Sequence, residues 1–316
     1  MLRMLFTTFS PSGSRASLTI LIFHRVLPEP DPLLPDEPCQ HRFHQVMSWI
    51  SQWFNVLPLE DAIALLKSDQ LPERAAAITF DDGYADNLIH ATPILKRHGL
   101  HATFFIATGF LDGGIMWNDQ IIEAVRKSTA PAIDGAFLCL GWLPLQTLPE
   151  KRAALARLIP AIKHLLPDER TRMVGHIVDA CHVELPRDLM LTSKQLLALR
   201  SSGMGIGAHT VSHPILARLD SDAARREISD GRNYLEKLLG ERVALFAYPN
   251  GKFGADYNEE HVHMVKSQGF SAALSTNWGT AGSKSDIFQL PRFTPWDRAR
   301  NRYGLRLLTN LWSKNS

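Results

Sequence analysis

The chain has 316 residues, 45% of them hydrophobic, and its 34 basic and 32 acidic side chains leave a net charge of +2. That length suits one large α/β domain or two smaller ones, and the even charge balance excludes the broad electropositive face expected of a nucleic-acid binder. Cys39, Cys139 and Cys181 are odd in number, far apart and outside any CxxC spacing, which argues against a disulfide framework and a thiolate zinc site.

Residues 1–17, "MLRMLFTTFSPSGSRAS", form an N-terminal segment whose short apolar piece is interrupted by Thr7, Thr8, Ser10 and Pro11 and lacks a signal-peptide core. No run reaches the roughly 18 uninterrupted apolar residues of a membrane span, so the expectation is a cytoplasmic protein. From residue 18 onward, short apolar runs at 18–24, 76–80, 102–107, 205–209, 243–248 and 271–276 read as buried strands. Amphipathic stretches at 41–54, 59–68, 85–99, 220–240 and 258–269 read as helices, several stopped by glycine at Gly99, Gly240 and Gly269. Repeated strand-helix order predicts parallel strands, and at this length a (β/α) barrel over residues 18–296.

Residues 112–200 break that rhythm with consecutive helices and no evident strand, which predicts a helical insertion on the barrel's loop face, where substrate access is shaped. Residues 297–316 place Arg298, Arg300, Arg302, Arg306 and Lys314 among Leu305, Leu307, Leu308, Leu311 and Trp312. Such a basic amphipathic helix either packs on the barrel or lies on an anionic bilayer, giving peripheral contact with the inner face of the membrane.

The polar punctuation falls at strand ends. "ITFDDGYADN" (78–87) puts Asp81 and Asp82 side by side where a strand leaves the core, "HTVSHP" (209–214) follows another strand, and His24 ends the first. Asp-Gly after an apolar run is also an ordinary turn signal, and two histidines four apart are not by themselves a metal site. In a parallel barrel, however, the C-terminal ends of the strands share one face. Pro214 suits the first position of a helix, which would seat His213 at the strand-to-helix turn near His209. Two histidines and Asp82 then make a divalent-metal set, which leaves Asp81 free to act on water.

"TFDDGY" and "HTVSHP", in this order, resemble the first two motifs of the polysaccharide deacetylases, carbohydrate esterase family 4, over about residues 18–110 and 190–295. The resemblance implies a distorted (β/α) barrel, Asp81 as general base, and Asp82, His209 and His213 as ligands of one divalent ion, usually zinc, with cobalt or nickel as alternatives. The family's third motif, Arg-x-Pro-Tyr-Gly, aligns with "AYPNG" (247–251), so Ala247 stands where an arginine braces the base. The oxyanion contact there comes from a backbone N–H, which Asn250 still offers. Arg292 in "QLPRFTP" is the candidate substitute for the missing arginine. No histidine follows His263, so the family's late Leu-x-His acid is absent. His24 in "LIFHRV" is the candidate general acid, since exopolysaccharide deacetylases resembling this chain carry a similar strand-His segment before TFDDG.

Tyr84, Trp117, Trp278 and Trp296 are aromatics near the loops with a capacity to stack on sugar rings. Together these features predict an N-deacetylase acting on an N-acylated carbohydrate, in a glycan or a lipid-linked precursor, with no nucleic acid partner. A glycan-binding pseudoenzyme is the alternative, motivated by the altered third motif. A magnesium phosphoryl-transfer site is disfavoured, because there is no phosphate-cradling glycine loop and two histidines would stand unexplained.

Overall fold

The computed structural model describes residues 2–312. The first half of the frame runs α1 (Leu2–Phe9), β1 (Thr19–Phe23), α2 (Gln40–Trp53), β2 (Asn55–Val56), α3 (Leu59–Lys67), β3 (Ala75–Phe80), α4 (Thr92–Arg97) and β4 (Thr103–Ile106). An insertion follows, with α5 (Trp117–Lys127), β5 (Ala132–Asp134), β6 (Trp142–Pro144), α6 (Leu148–Lys163), α7 (Pro167–Cys181) and α8 (Ser193–Ser201). The frame resumes with β7 (Gly205–Ala208), α9 (Ser221–Leu239), β8 (Leu245–Ala247), α10 (Glu259–Ser267), β9 (Ala272–Leu274) and α11 (Arg300–Trp312).

Strands β1, β3, β4, β7, β8 and β9 pair in that order, all parallel, with two-residue β2 added at the start of β3. An irregular segment closes the curl. Leu290 exchanges hydrogen bonds with Ala273 and Ser275 beside β9, and the Phe293 N–H donates to Ile20 O at 2.9 Å on β1. Thr294 Oγ1 accepts from the Ile22 N–H at 2.9 Å and donates to Ile22 O at 2.6 Å. The result is the expected distorted (β/α) barrel.

Side chains alternate along each strand, so each strand feeds two cores. On β3, Ala75 and Ala77 face inward with Ile20, Phe105, Leu245, Ala247 and Leu274, while Ala76, Ile78 and Phe80 face the helical layer with Leu21, Phe104 and Phe246. Continued by two residues, the inner row of β3 runs through Thr79 to Asp81, which is why a carboxylate emerges at the barrel mouth.

The insertion has its own apolar core, including Ile121, Val125, Ile133, Leu143, Leu158 and Ile177. The expectation of helices alone is corrected here: β5 and β6 form an antiparallel hairpin, Ile133 opposite Leu143. Three-residue strands are too short for an alternating pattern to register. Helix α1 has no counterpart among the expected elements. At the C-terminal end, Tyr303, Leu307, Leu308 and Leu311 of α11 are buried in the main core, and Phe9 of α1 stacks on Trp312 with centroids 5.9 Å apart. Of the two arrangements expected for this helix, its apolar face therefore packs on protein, leaving Leu305 and Trp312 exposed. Lys314 lies outside the described residues. No described helix is long and apolar enough to cross a membrane.

Candidate active site and metal centre

Asp81 is buried, and Arg292 meets it through two parallel hydrogen bonds, Nη1 to Oδ1 and Nη2 to Oδ2, each 2.7 Å. Arg292 is itself 1% exposed, and its Nε donates to Ser275 O at 2.9 Å, so the fork is fixed from behind. Burial alone would push the Asp81 carboxyl up. The Arg292 guanidinium, followed by His209, outweighs that and holds it below the ordinary carboxylate value.

Asp82, His209 and His213 converge beside it, each offering a ligand atom within 4.8 Å of the others. Asp82 Oδ1 lies 3.5 Å from His209 Nε2 and 3.4 Å from His213 Nε2, yet it is buried without a hydrogen-bond partner. Two ligands at about 2.1 Å from a tetrahedral ion stand about 3.4 Å apart, so this separation, long for a hydrogen bond, suits a shared zinc-like cation. His209 Nδ1 lies 2.7 Å from Ala247 O, a carbonyl that can only accept, so Nδ1–H donates to it and Nε2 is left facing Asp82. Burial pushes the His213 imidazole down to about 4, which keeps it neutral. For His209 burial also works downward, but Asp81 and Asp82 prevail and raise it. The cluster thus recruits positive charge, as a proton or as a cation.

The local backbone is bent to make this possible. Asp82 (φ 76), Thr210 (φ 68), His213 (φ 51) and Asn250 (φ 58) are all left-handed, a conformation that costs a non-glycine residue about 1–2 kcal/mol and collects at functional sites. This corrects the expectation for Pro214. No helix starts there: the chain after Pro214 makes only a short 3₁₀ turn at Leu216–Arg218, and α9 begins at Ser221.

His24 is exposed at the end of β1 and lines a cavity of about 590 Å³ together with Arg42, Arg152, Trp296, Arg298 and Tyr303. It is near enough that its charge acts on Asp81, Asp82 and His213. Its backbone is held by the loop after the two aspartates: Asn87 Nδ2 donates to His24 O at 2.8 Å, and Asp86 accepts from Arg25 Nε at 2.9 Å and the Val26 N–H at 3.1 Å. Asn250 sits at the end of β8, its carbonyl taken by Thr276 Oγ1 at 2.6 Å.

A profile of the polysaccharide deacetylase family matches residues 68–130 and 155–273, more than half of the chain. The chain belongs to the polysaccharide deacetylase family. YxkH of Bacillus subtilis, which carries the name of a polysaccharide deacetylase, is 22% identical over 279 residues, 88% of this chain and 71% of that protein. Among solved structures, the deacetylase PplD of Streptococcus pyogenes in complex with acetate aligns with a TM-score of 0.61 at 20% identity, covering 94% of this chain and 98% of that one. IcaB of Ammonifex degensii aligns with a TM-score of 0.59 at 18% identity, covering 96% and 99%. At these identities the two structures bear on the fold.

Within this deacetylase fold the aromatic candidates part ways. Tyr84 is buried, its ring under the Arg25 guanidinium at 4.6 Å and its hydroxyl donating to Asp119 Oδ2 at 2.9 Å, so it presents no face for stacking. Trp117 is half-buried at the start of α5 and packs on the insertion core with Arg170 5.5 Å from its ring. Trp278 remains available: it is 66% exposed and sits 5.6 Å from Trp296 and 5.4 Å from Phe293, the neighbour of Arg292. Sequence reasoning missed Asp86, Asn87, Asp119 and Glu227, which reach the site through contacts from other elements. Asp86 and Asn87 lie inside the quoted "ITFDDGYADN" stretch, the one signal available for them.

Proposed function

We propose that this chain is a metal-dependent hydrolase that removes N-acetyl, or a similar N-acyl group, from a sugar of a glycan or lipid-linked glycan precursor. The observation that carries this reading is a buried aspartate, forked by Arg292, beside an Asp82–His209–His213 cluster with an unpartnered carboxylate oxygen. Two imidazoles and one carboxylate favour zinc, with cobalt or nickel as alternatives. Such an ion supplies Lewis acidity, polarising the amide carbonyl and making water acidic enough to attack near neutral pH.

The chain's own residues do the rest. Asp81 takes the proton of the attacking water as the new C–O bond forms, and Arg292 keeps Asp81 ionised and aimed. The Asn250 N–H donates to the oxygen that becomes negative. His24 gives a proton to the nitrogen as the C–N bond breaks, so the products are a carboxylate and a free amine. Trp278 offers an exposed face to a sugar ring, and the cavity beside His24 gives room for the flanking glycan. Ala247 would favour a non-catalytic glycan binder, were its missing guanidinium not replaced by that of Arg292.

The test is acetate release from a panel of N-acetylated oligosaccharides and lipid-linked sugars. Zinc-loaded protein is expected to release acetate, chelated protein none, and Asp81→Asn is expected to keep about one ion while losing roughly 10² to 10⁴ in turnover. A metal-loaded protein that releases no acetate from any substrate, or an undiminished Asp81→Asn, overturns the reading.

A further inference from the structure

The turn that joins the two histidines, residues 210–212, belongs to no helix or strand, yet its backbone is held on both sides. Its carbonyls face the short 3₁₀ turn that follows β4: the Thr108 N–H donates to Thr210 O at 3.2 Å and the Gly109 N–H to Val211 O at 2.8 Å. Its N–H groups face α9. Val211 and Ser212 N–H both donate to Glu227 Oε2 at 2.9 Å, and Ser212 Oγ donates to Glu227 Oε1 at 2.6 Å. The next amide along the chain, His213 N–H, donates to Thr210 Oγ1 at 3.2 Å. One carboxylate therefore takes three of the turn's donors, two backbone N–H groups and a hydroxyl.

One helical turn further along the same face of α9, Gly231 lies against the turn. A Cβ at Gly231 would stand 2.8 Å from both C and O of Thr210, closer than real contacts allow. Glycine here sets how near α9 approaches, and Glu227 takes hold at that distance. The grip has something to resist, because Thr210 and His213 are left-handed. Charge-assisted bonds to backbone N–H are among the stronger hydrogen bonds, and their loss would leave two N–H groups unpaired.

We propose that Glu227, seated by Gly231, is a positioning residue that fixes the spacing of His209 and His213 and thereby sets the metal affinity of the site. The proposal rests on the reading of Asp82, His209 and His213 as ligands. Partners that orient ligating histidines are worth 10–100-fold in metal affinity, and this one acts through the backbone between the two ligands instead of through a ring nitrogen.

The experiment measures zinc affinity of the full chain by competition with a chromophoric chelator, together with the melting temperature of the metal-free protein. Wild type is expected to bind one ion and His213→Ala none. Glu227→Ala is expected to bind about 10–100-fold more weakly, with kcat recovering at saturating zinc. Glu227→Gln, whose amide oxygen still accepts both N–H groups, is expected to regain most of the affinity. Gly231→Ala is expected to weaken binding through different atoms. Wild-type affinity in a folded Glu227→Ala protein overturns the proposal, as does a lowered metal-free melting temperature with affinity unchanged. Should Glu227→Ala fail to fold, Gly231→Ala, whose Cβ pushes α9 and with it Glu227 away from Thr210, decides by the same criterion. Wild type that binds no zinc overturns both this proposal and the ligand reading, whereas full occupancy in His213→Ala overturns the ligand reading directly.

Discussion

Arg292 and Asp81 form a two-point contact, both distances 2.7 Å, across 211 residues of chain. Lysine keeps the positive charge at position 292 but cannot present a planar fork. Arg292→Lys is expected to lower kcat by more than tenfold with KM little changed. Arg292→Ala leaves a buried carboxylate without its partner, a change that costs about 3–5 kcal/mol, and its melting temperature is expected to fall sharply. Steady-state kinetics and thermal denaturation check the pair; an unaltered kcat in Arg292→Lys would show that the second hydrogen bond contributes nothing to turnover.

His24 is expected to matter only where the leaving group needs a proton. His24→Ala should keep its metal and lose amide hydrolysis, yet retain most activity on an activated ester, whose leaving group departs as a stable anion. Comparing kcat/KM on the two substrates is the measurement. Equal losses would assign His24 to substrate placement.

Asp119 gives the fold a pH dependence of known sign. Burial, aided by Asp82 and Glu123 and opposed by Arg25 and the Tyr84 hydroxyl, pushes its carboxyl up to about 7 from 3.8. A raised folded-state value means the native state holds the proton more tightly than the unfolded chain. This stabilisation is complete below 3.8, declines as pH rises toward 7 and is absent above it. Asn at this position still accepts from Tyr84 but never ionises. Asp119→Asn is therefore expected to melt higher than wild type at pH 8, with the gain shrinking toward pH 4. A gain independent of pH would show that Asp119 does not titrate in this range.

Trp278 is expected to act on binding. Trp278→Ala should raise KM for oligosaccharides with kcat nearly unchanged, the signature of contacts equal in ground and transition state. Trp278→Phe should recover part of the loss. An unchanged KM across the oligosaccharide panel would remove Trp278 from the substrate path.

What could be read from the sequence follows from where the information lies. Asp81 and Asp82 share one stretch, His209 and His213 another, and each stretch ends an apolar run that only a parallel barrel brings to a common face. Arg292 was reachable because Ala247 left a guanidinium to be found. Glu227 and Asp119 were invisible, since an acidic residue on an amphipathic helix has no mark until the turn of helix facing the site is known. Pro214 misled because proline is equally at home in a helix's first turn and in irregular chain, and here it stands in irregular chain ahead of a short 3₁₀ turn. Tyr84 looked like a stacking residue until its burial beneath Arg25 was known.

The segment that closes the barrel between β9 and β1 also carries Arg292. Asp82, His209 and His213, the three residues proposed to hold the ion, lie within 82–213, so a growing polypeptide has every one of them in hand some eighty residues before Arg292 is synthesised. The guanidinium then arrives on the piece that must also pair with the first strand, joining late sequence to early sequence. In the order of synthesis the three clustered side chains thus come first, and the guanidinium that forks Asp81 comes last, on the same segment that shuts the seam.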